Sequence, residues 1–94
     1  MAQIDVKENT DSCEVTVKED GSEASYTVTV QEPLYQKLTG GKISKGECVK
    51  TAFRFLLDRE SKESIMRRFD LSVISRYFPE FESKFSGYLN APSR

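Results

Sequence analysis

Apolar and polar side chains alternate along residues 13–30, on both sides of the dipeptide Asp20-Gly21. Such alternation is typical of half-buried strands, and Asp-Gly suits the positive φ angles of a tight hairpin turn. The pattern therefore predicts a β-hairpin. A two-residue turn also fixes its register. The pairs that share the apolar face are then Cys13 with Val28, Val15 with Tyr26, and Val17 with Ala24.

Ile4 and Val6 alternate in the same way ahead of the hairpin, and the polar segment 9–12 can turn the chain back. We therefore expect either a hairpin alone or a three-stranded antiparallel meander.

Helical spacing follows the strands. Pro33 predicts the start of a helix of at most two turns, which Gly40-Gly41 ends. Ser44 and Glu47 then have the spacing of a capping box, which predicts the start of a longer helix. Its apolar stripe recurs at helical intervals and makes it the central amphipathic helix. The stripe consists of Val49, Ala52, Phe53, Leu56 and Leu57.

The C-terminal third is interpreted as three short helices. Ser61 and Asp70 are candidate N-caps of the first two, and Pro79 suits the first position of the third. Residues 90–94 are expected to form a frayed tail. The positions expected to face inward are Ile65, Met66 and Phe69, then Leu71, Ile74, Tyr77 and Phe78, then Phe81, Phe85, Tyr88 and Leu89.

Together these elements predict an α+β fold in a single domain over residues 1–94, with an ordered core over about 3–89. The strands pack on the central helix, and the C-terminal helices close the core. A chain of 94 residues is long enough to bury one core without disulfides or metals.

The charge is unevenly distributed. Residues 1–32 carry two basic and eight acidic side chains, whereas residues 33–94 carry twelve basic and seven acidic ones. Such asymmetry can mark an anionic partner, or simply two layers that stay soluble and attract each other. Arg67, Arg68 and Arg76 alternate with aromatic residues that have helical spacing. We interpret the arginines as a solvated face around a core, because a base-stacking platform needs exposed rings.

The chain lacks histidine, which is the commonest general base near neutral pH and the commonest metal ligand. Gly40, Gly41 and Gly46 do not follow the pattern of a phosphate-binding loop. Cys13 and Cys48 lack the paired spacing of metal or redox sites and are interpreted as buried free thiols. We therefore predict that the protein is not an enzyme and has no catalytic, metal-binding or cofactor-binding residues and no cofactor.

Residues 26–59 resemble the strand, helix and capped helix of ribbon-helix-helix DNA-binding proteins. That resemblance implies a DNA-binding transcriptional regulator. Thr27, Thr29 and Gln31 would face the bases, and Ser44 and Lys45 would meet phosphate.

The C-terminal half is similar to a segment that recurs in small uncharacterised bacterial proteins, which also have a hairpin and a central helix ahead of it. The motifs that carry this resemblance are KESI, FDL and YFPEF, and it covers residues 13–85 or so. It implies a family but no activity.

The preferred functional hypothesis is a small non-catalytic binding module that contacts a protein partner or forms a homodimer. The contact surface is expected at the unpaired edge of the hairpin or at the C-terminal aromatic residues. Nucleic acid is a possible but less favoured partner. No apolar run is long enough to span a bilayer, and the start of the sequence lacks the order of a signal peptide, so a cytoplasmic location without membrane contact is expected.

Overall fold

The computed structural model describes residues 3–89, which form four strands and four helices in an α+β arrangement. The predicted tail, residues 90–94, lies outside the described residues. The strands are β1 (Gln3–Glu8), β2 (Cys13–Glu19), β3 (Ser22–Thr29) and β4 (Arg68–Asp70). The helices are α1 (Glu32–Thr39), α2 (Lys45–Leu57), α3 (Ser72–Tyr77) and α4 (Phe81–Leu89).

The first three strands form the antiparallel meander expected from the alternating pattern. Asp20 and Gly21 both have positive φ angles, 54° and 79°, as a tight turn between β2 and β3 requires. The register is the predicted one, with Cys13 opposite Val28, Val15 opposite Tyr26 and Val17 opposite Ala24. The apolar face of this sheet is therefore continuous, and it packs against α2.

The fourth strand was not predicted. The sequence favoured a helix after Ser61, but the chain makes turns there and then enters β4, which pairs with β3 in parallel. The N–H of Thr27 donates to the carbonyl of Arg67 at 2.7 Å, and the N–H of Leu71 donates to the carbonyl of Thr29 at 2.8 Å. The open edge of β3 offers backbone groups that need partners, and this need outweighs a local helical preference.

Helix α1 ends and helix α2 begins as predicted. Pro33 lies in the first turn of α1, and Gly40 ends that helix with a φ of 63°. The side chain of Ser44 accepts a hydrogen bond from the N–H of Glu47 at 3.1 Å and so caps α2. In the predicted stripe of α2, Leu57 is partly buried, and the buried members are Val49, Ala52, Phe53 and Leu56.

Helix α2 is buried on a second face as well, which the single predicted stripe did not include. Phe55 is fully buried there and makes edge-on contacts with the rings of Phe78, Phe81 and Tyr88 at 5.1–5.8 Å between centroids. The sheet and the C-terminal helices therefore pack on different faces of α2.

The C-terminal segment differs from the predicted three helices. Residues 62–64 form turns; Ile65 and Phe69 are buried as expected, but Met66 is 45% exposed. Helix α3 ends at Tyr77, which is 69% exposed, so the prediction that Tyr77 faces inward was wrong. The reason is Pro79, which disfavours helical backbone at Phe78, where φ is −130°.

Helix α4 begins at Phe81, after a turn that contains Pro79 and Glu80, and not at Pro79. Phe81 and Phe85 are buried, as predicted for its apolar stripe. Together with the sheet and α2, α4 completes one cluster of buried side chains.

Candidate interaction surface

A solvent-open groove of about 370 Å³ lies between the end of α2, the turns that follow it, and α3. We call it the apolar groove, because most of the side chains around it are hydrophobic. They include Leu56, Ile65, Phe69 and Ile74, which are buried, and Met66 and Tyr77, which are not.

Met66 and Tyr77 are the large hydrophobic side chains that stand out as exposed on the described surface, and both border this groove. Their outward positions have local causes. Met66 lies in the non-helical segment leading into β4, between buried Ile65 and exposed Arg67, and Tyr77 is the last residue of α3. Two exposed apolar side chains beside one concave surface are typical of a contact site for another molecule.

Three arginines are next to residues of the groove in the chain. Arg67 and Arg68 follow Met66 in the chain and Arg76 precedes Tyr77; all three are exposed and none forms a salt bridge with a described residue. In the groove wall itself, Glu60 supplies one carboxylate.

Other charges near the groove are already paired. Arg59 contacts Glu80 at 3.3 Å, and Lys62 contacts Glu63 at 2.8 Å. The hydrogen bond from Lys62 lowers the pKa of Glu63.

Arg59 also fixes α4 to α2. Its guanidinium carbon lies 3.8 Å from the ring centroid of Phe55, and its Nη1 donates to the hydroxyl of Tyr88 at 3.2 Å. The Tyr88 hydroxyl in turn donates to Asp58. This cluster has a packing role that accounts for its charged side chains.

Two residues of the predicted DNA-binding set meet in the structure, but they bind Asp70. The Thr29 hydroxyl donates to Oδ1 of Asp70 at 2.6 Å, and Nε2 of Gln31 donates to the same oxygen at 3.2 Å. Thr27 lies opposite Arg68 in the ladder between β3 and β4. At residues 27–29, β3 lies between β2 and β4, so this end of the strand is interior to the sheet.

Ser44 and Lys45, the predicted phosphate contacts, also have partners within the chain. Ser44 caps its own helix, and Nζ of Lys45 lies 3.1 Å from Glu32. A carboxylate oxygen of Glu8 would be 2.7 Å from a Cβ added at Gly46, so this acidic group lies against the first turn of α2. A carboxylate there occupies the position in which a helix favours an anion.

Thr29, Gln31 and Lys45 do line one polar depression of about 330 Å³. Its other side is the turn between β1 and β2, which contributes the carboxylates of Glu8 and Asp11. The depression is therefore poorly suited to a polyanion.

Cys13 and Cys48 are both buried and free. Burial raises the pKa of the Cys48 thiol to about 12 and also raises that of Cys13, so both thiols stay protonated and unreactive at neutral pH. Within residues 3–89, no three His, Cys, Asp or Glu side chains are grouped so that they could hold a metal ion. No helix in this part of the chain is both long and apolar enough to cross a membrane.

No family model, curated protein or solved structure matches this chain. The resemblances to ribbon-helix-helix proteins and to the bacterial KESI–FDL–YFPEF segment therefore remain predictions.

Proposed function

We propose that the protein is a non-catalytic binding module that holds an acidic, partly apolar segment of a partner protein in the apolar groove. The observation that carries this proposal is the exposure of Met66 and Tyr77, 45% and 69%, at the border of the same groove. Among residues 3–89, Met66 and Tyr77 are the large hydrophobic side chains exposed to water, where a partner can bury them.

The charge of the surroundings selects the kind of partner. Arg67 and Arg76, which are next to Met66 and Tyr77 in the chain, are exposed and form no salt bridge with a carboxylate among residues 3–89. An acidic segment would pair with them at the edge of the contact, while its apolar side chains enter the groove. A basic segment would meet like charge.

The DNA-binding alternative has less support from the described contacts. Thr29 and Gln31 bind Asp70, and Lys45 pairs with Glu32, so these side chains would have to give up internal partners to bind DNA. The proposal keeps the cytoplasm as the location, since buried free thiols at Cys13 and Cys48 suit a reducing compartment.

Selection from a displayed library of random twelve-residue peptides tests the proposal. The wild-type protein is the target, and the double variant Met66→Ser/Tyr77→Ser is the competitor in solution. We expect the enriched peptides to combine Asp or Glu with Leu, Ile or Phe, and to bind the double variant at least about tenfold more weakly, since both lost side chains contact the peptide directly.

The matched control is the double variant Lys18→Glu/Glu23→Lys, which changes exposed side chains on strands remote from the groove. It should bind the selected peptides like the wild type. Peptides that are basic, peptides that bind the Met66→Ser/Tyr77→Ser protein equally well, or a selection without enrichment would each contradict the proposal.

A further inference from the structure

Strand β1 is one end of the sheet, and no described residue pairs with it on its outer side. The other end of the sheet is β4, which has only three residues, whereas β1 has six. A strand edge of this length presents a row of unpaired backbone donors and acceptors that another strand can bind. The backbone and side-chain pattern of β1 indicates which strand could pair with this edge.

The hydrogen bonds of the sheet show which groups of β1 face outward. The N–H of Asn9 donates to the carbonyl of Ser12, so in this antiparallel pair residues 9, 7, 5 and 3 direct their backbone groups to β2. The hydrogen bond from Thr27 to Arg67 gives the same alternation. The N–H of Thr27 points away from β2, so the even-numbered residues of β3 point to β2 and pair there with the odd-numbered residues of β2. The even-numbered residues of β2 therefore point to β1, where they pair with residues 3, 5 and 7. Ile4, Val6 and Glu8 therefore direct their N–H and C=O groups to the free side.

The side chains alternate in the same way. Ile4 and Val6 lie on the face that covers α2, whereas Asp5 and Lys7 point to the exposed face of the sheet. Neither Asp5 nor Lys7 forms a salt bridge with a described residue. Glu14, which lies opposite Lys7, accepts instead a hydrogen bond from Asn9 at 2.7 Å.

We infer that the occupant of this edge is a second copy of the chain, with the two β1 strands paired antiparallel about a two-fold axis at Val6. Pairing through the outward backbone groups allows only registers that join residues 4, 6 and 8 of the two copies. The register centred on Val6 is the one that brings Asp5 of each copy opposite Lys7 of the other. A shift by two residues in either direction places Asp5 against Asp5 or Lys7 against Lys7, which is unfavourable.

This register has further consequences for packing. It forms about six backbone hydrogen bonds, two for each paired position. It covers partly buried Val6 with its symmetry mate and extends the apolar faces of the two sheets into one. Ile4 comes opposite Glu8, whose carboxylate is directed to Gly46 of its own α2. The dimer uses the opposite edge of the sheet from the apolar groove, so it does not depend on the proposed function.

Charge reversal tests the dimer and its register together. Sedimentation equilibrium over a range of protein concentrations should show that the wild type forms dimers. Asp5→Lys and Lys7→Asp should each weaken dimerisation about tenfold or more, because each change turns two attractive pairs into repulsive ones. The double variant Asp5→Lys/Lys7→Asp exchanges the charges, restores both pairs and should recover the wild-type dimer.

Lys18→Asp is the matched control, since it reverses a charge on the same exposed face but on β2. It should leave dimerisation unchanged, and circular dichroism should confirm that every variant is folded. The inference is overturned if the wild type is monomeric up to about millimolar concentration, where even weak pairs associate. It is equally overturned if the single reversals dimerise like the wild type, if the double variant does not recover, or if Lys18→Asp has the same effect as Asp5→Lys.

Discussion

Residues 3–57 and residues 58–89 are held together in different ways. The first region has long strands, a tight turn and a thirteen-residue helix, α2. Its strands form backbone hydrogen bonds mainly with the strand that is next in the sequence. The second region has elements of three, six and nine residues, and its main attachments are to the first region. It also carries Met66 and Tyr77. Elements this short depend on tertiary contacts for their stability. The candidate binding surface therefore belongs to residues 58–89, the region that depends on its contacts with residues 3–57.

Truncating either of two buried aromatic residues of α2 tests whether the two regions are stabilised separately. Phe53 packs between Tyr26 and Phe69, at 5.1 and 6.1 Å between ring centroids, whereas Phe55 packs on the C-terminal rings. Phe53→Ala and Phe55→Ala should each lower the free energy of unfolding by about 3–5 kcal/mol, as expected for truncating a buried ring. Denaturant titration measures both losses.

Amide hydrogen exchange then separates the two variants. Phe55→Ala should speed exchange in α4 while β2 and β3 remain protected, because its ring attaches the second region to the first. Phe53→Ala should reduce protection in both regions. Equal loss of protection in α4 and β2 on Phe55→Ala would mean that the two regions open as one unit.

A smaller effect is expected at Asp70, which joins β4 to β3 and α3. Its carboxylate accepts hydrogen bonds from Thr29, Gln31 and the N–H and hydroxyl of Ser72. Asp70→Asn should cost about 1–3 kcal/mol, because these donors lose a charged acceptor. Asp11→Asn, at an exposed turn position, is the matched control and should change stability by less than about 0.5 kcal/mol.

The stability lost on Asp70→Asn should depend on pH, and the pKa of Asp70 gives the direction of that dependence. Burial raises the pKa of Asp70, but the hydrogen bonds from Ser72, Thr29 and Gln31 outweigh it and hold the pKa below the ordinary value of 3.8. The stability that the carboxylate supplies is therefore present above the unfolded pKa of about 3.9 and is lost as the pH falls through the folded pKa. The difference between wild type and Asp70→Asn should narrow below about pH 4. A constant difference down to pH 2 would show that the charge does not matter.

The smallest effect on stability is expected for the exposed residues Arg67, Arg68 and Arg76. The triple variant Arg67→Gln/Arg68→Gln/Arg76→Gln should unfold within about 1 kcal/mol of the wild type, because the three side chains are exposed and form no salt bridge with a described residue. Arg67 lies 5.8 Å from the ring centroid of Tyr26, so it is the one whose loss should be measurable.

Binding measurements on that variant distinguish the two functional hypotheses. If the proposed function is correct, the triple variant binds acidic peptides more weakly than the wild type does. The wild type itself should not bind mixed-sequence DNA near physiological salt. Wild-type binding to DNA that falls steeply with salt and disappears in the triple variant would contradict the proposal and favour a nucleic-acid partner.

The difference between the two regions also explains which parts of the fold were predictable. The register around Asp20-Gly21 and the cap at Ser44 depend on residues close in sequence, so the local pattern was sufficient. Strand β4 has too few residues to show alternation, and its partner β3 is remote in sequence. The same segment has acceptable helical spacing, which explains the incorrect helix after Ser61.

The candidate surface was predictable only in outline. The C-terminal aromatic residues were expected to offer a contact surface, but Met66 and Tyr77 were expected to face inward. Residues at helical spacing are all predicted to lie on the same, inward face of the helix, and this rule included Met66 and Tyr77. Tyr77 left that face because Pro79 stopped the helix, a signal that the rule for residues before proline could have supplied. The position of Met66 depends on β4 and has no local signal.

The parallel pairing of β3 with β4 has a consequence for biosynthesis. Thr29 and Asp70 are 41 positions apart, so a growing chain can close its hairpin, in about 1–10 μs, long before β4 leaves the ribosome. During that interval the edge of β3 is open and can recruit a strand from a neighbouring chain. In the folded chain, the three residues of β4 cover the C-terminal end of this edge, Thr27–Thr29. Truncation ahead of Arg68 should therefore yield a product that aggregates, even though its meander and central helix are complete.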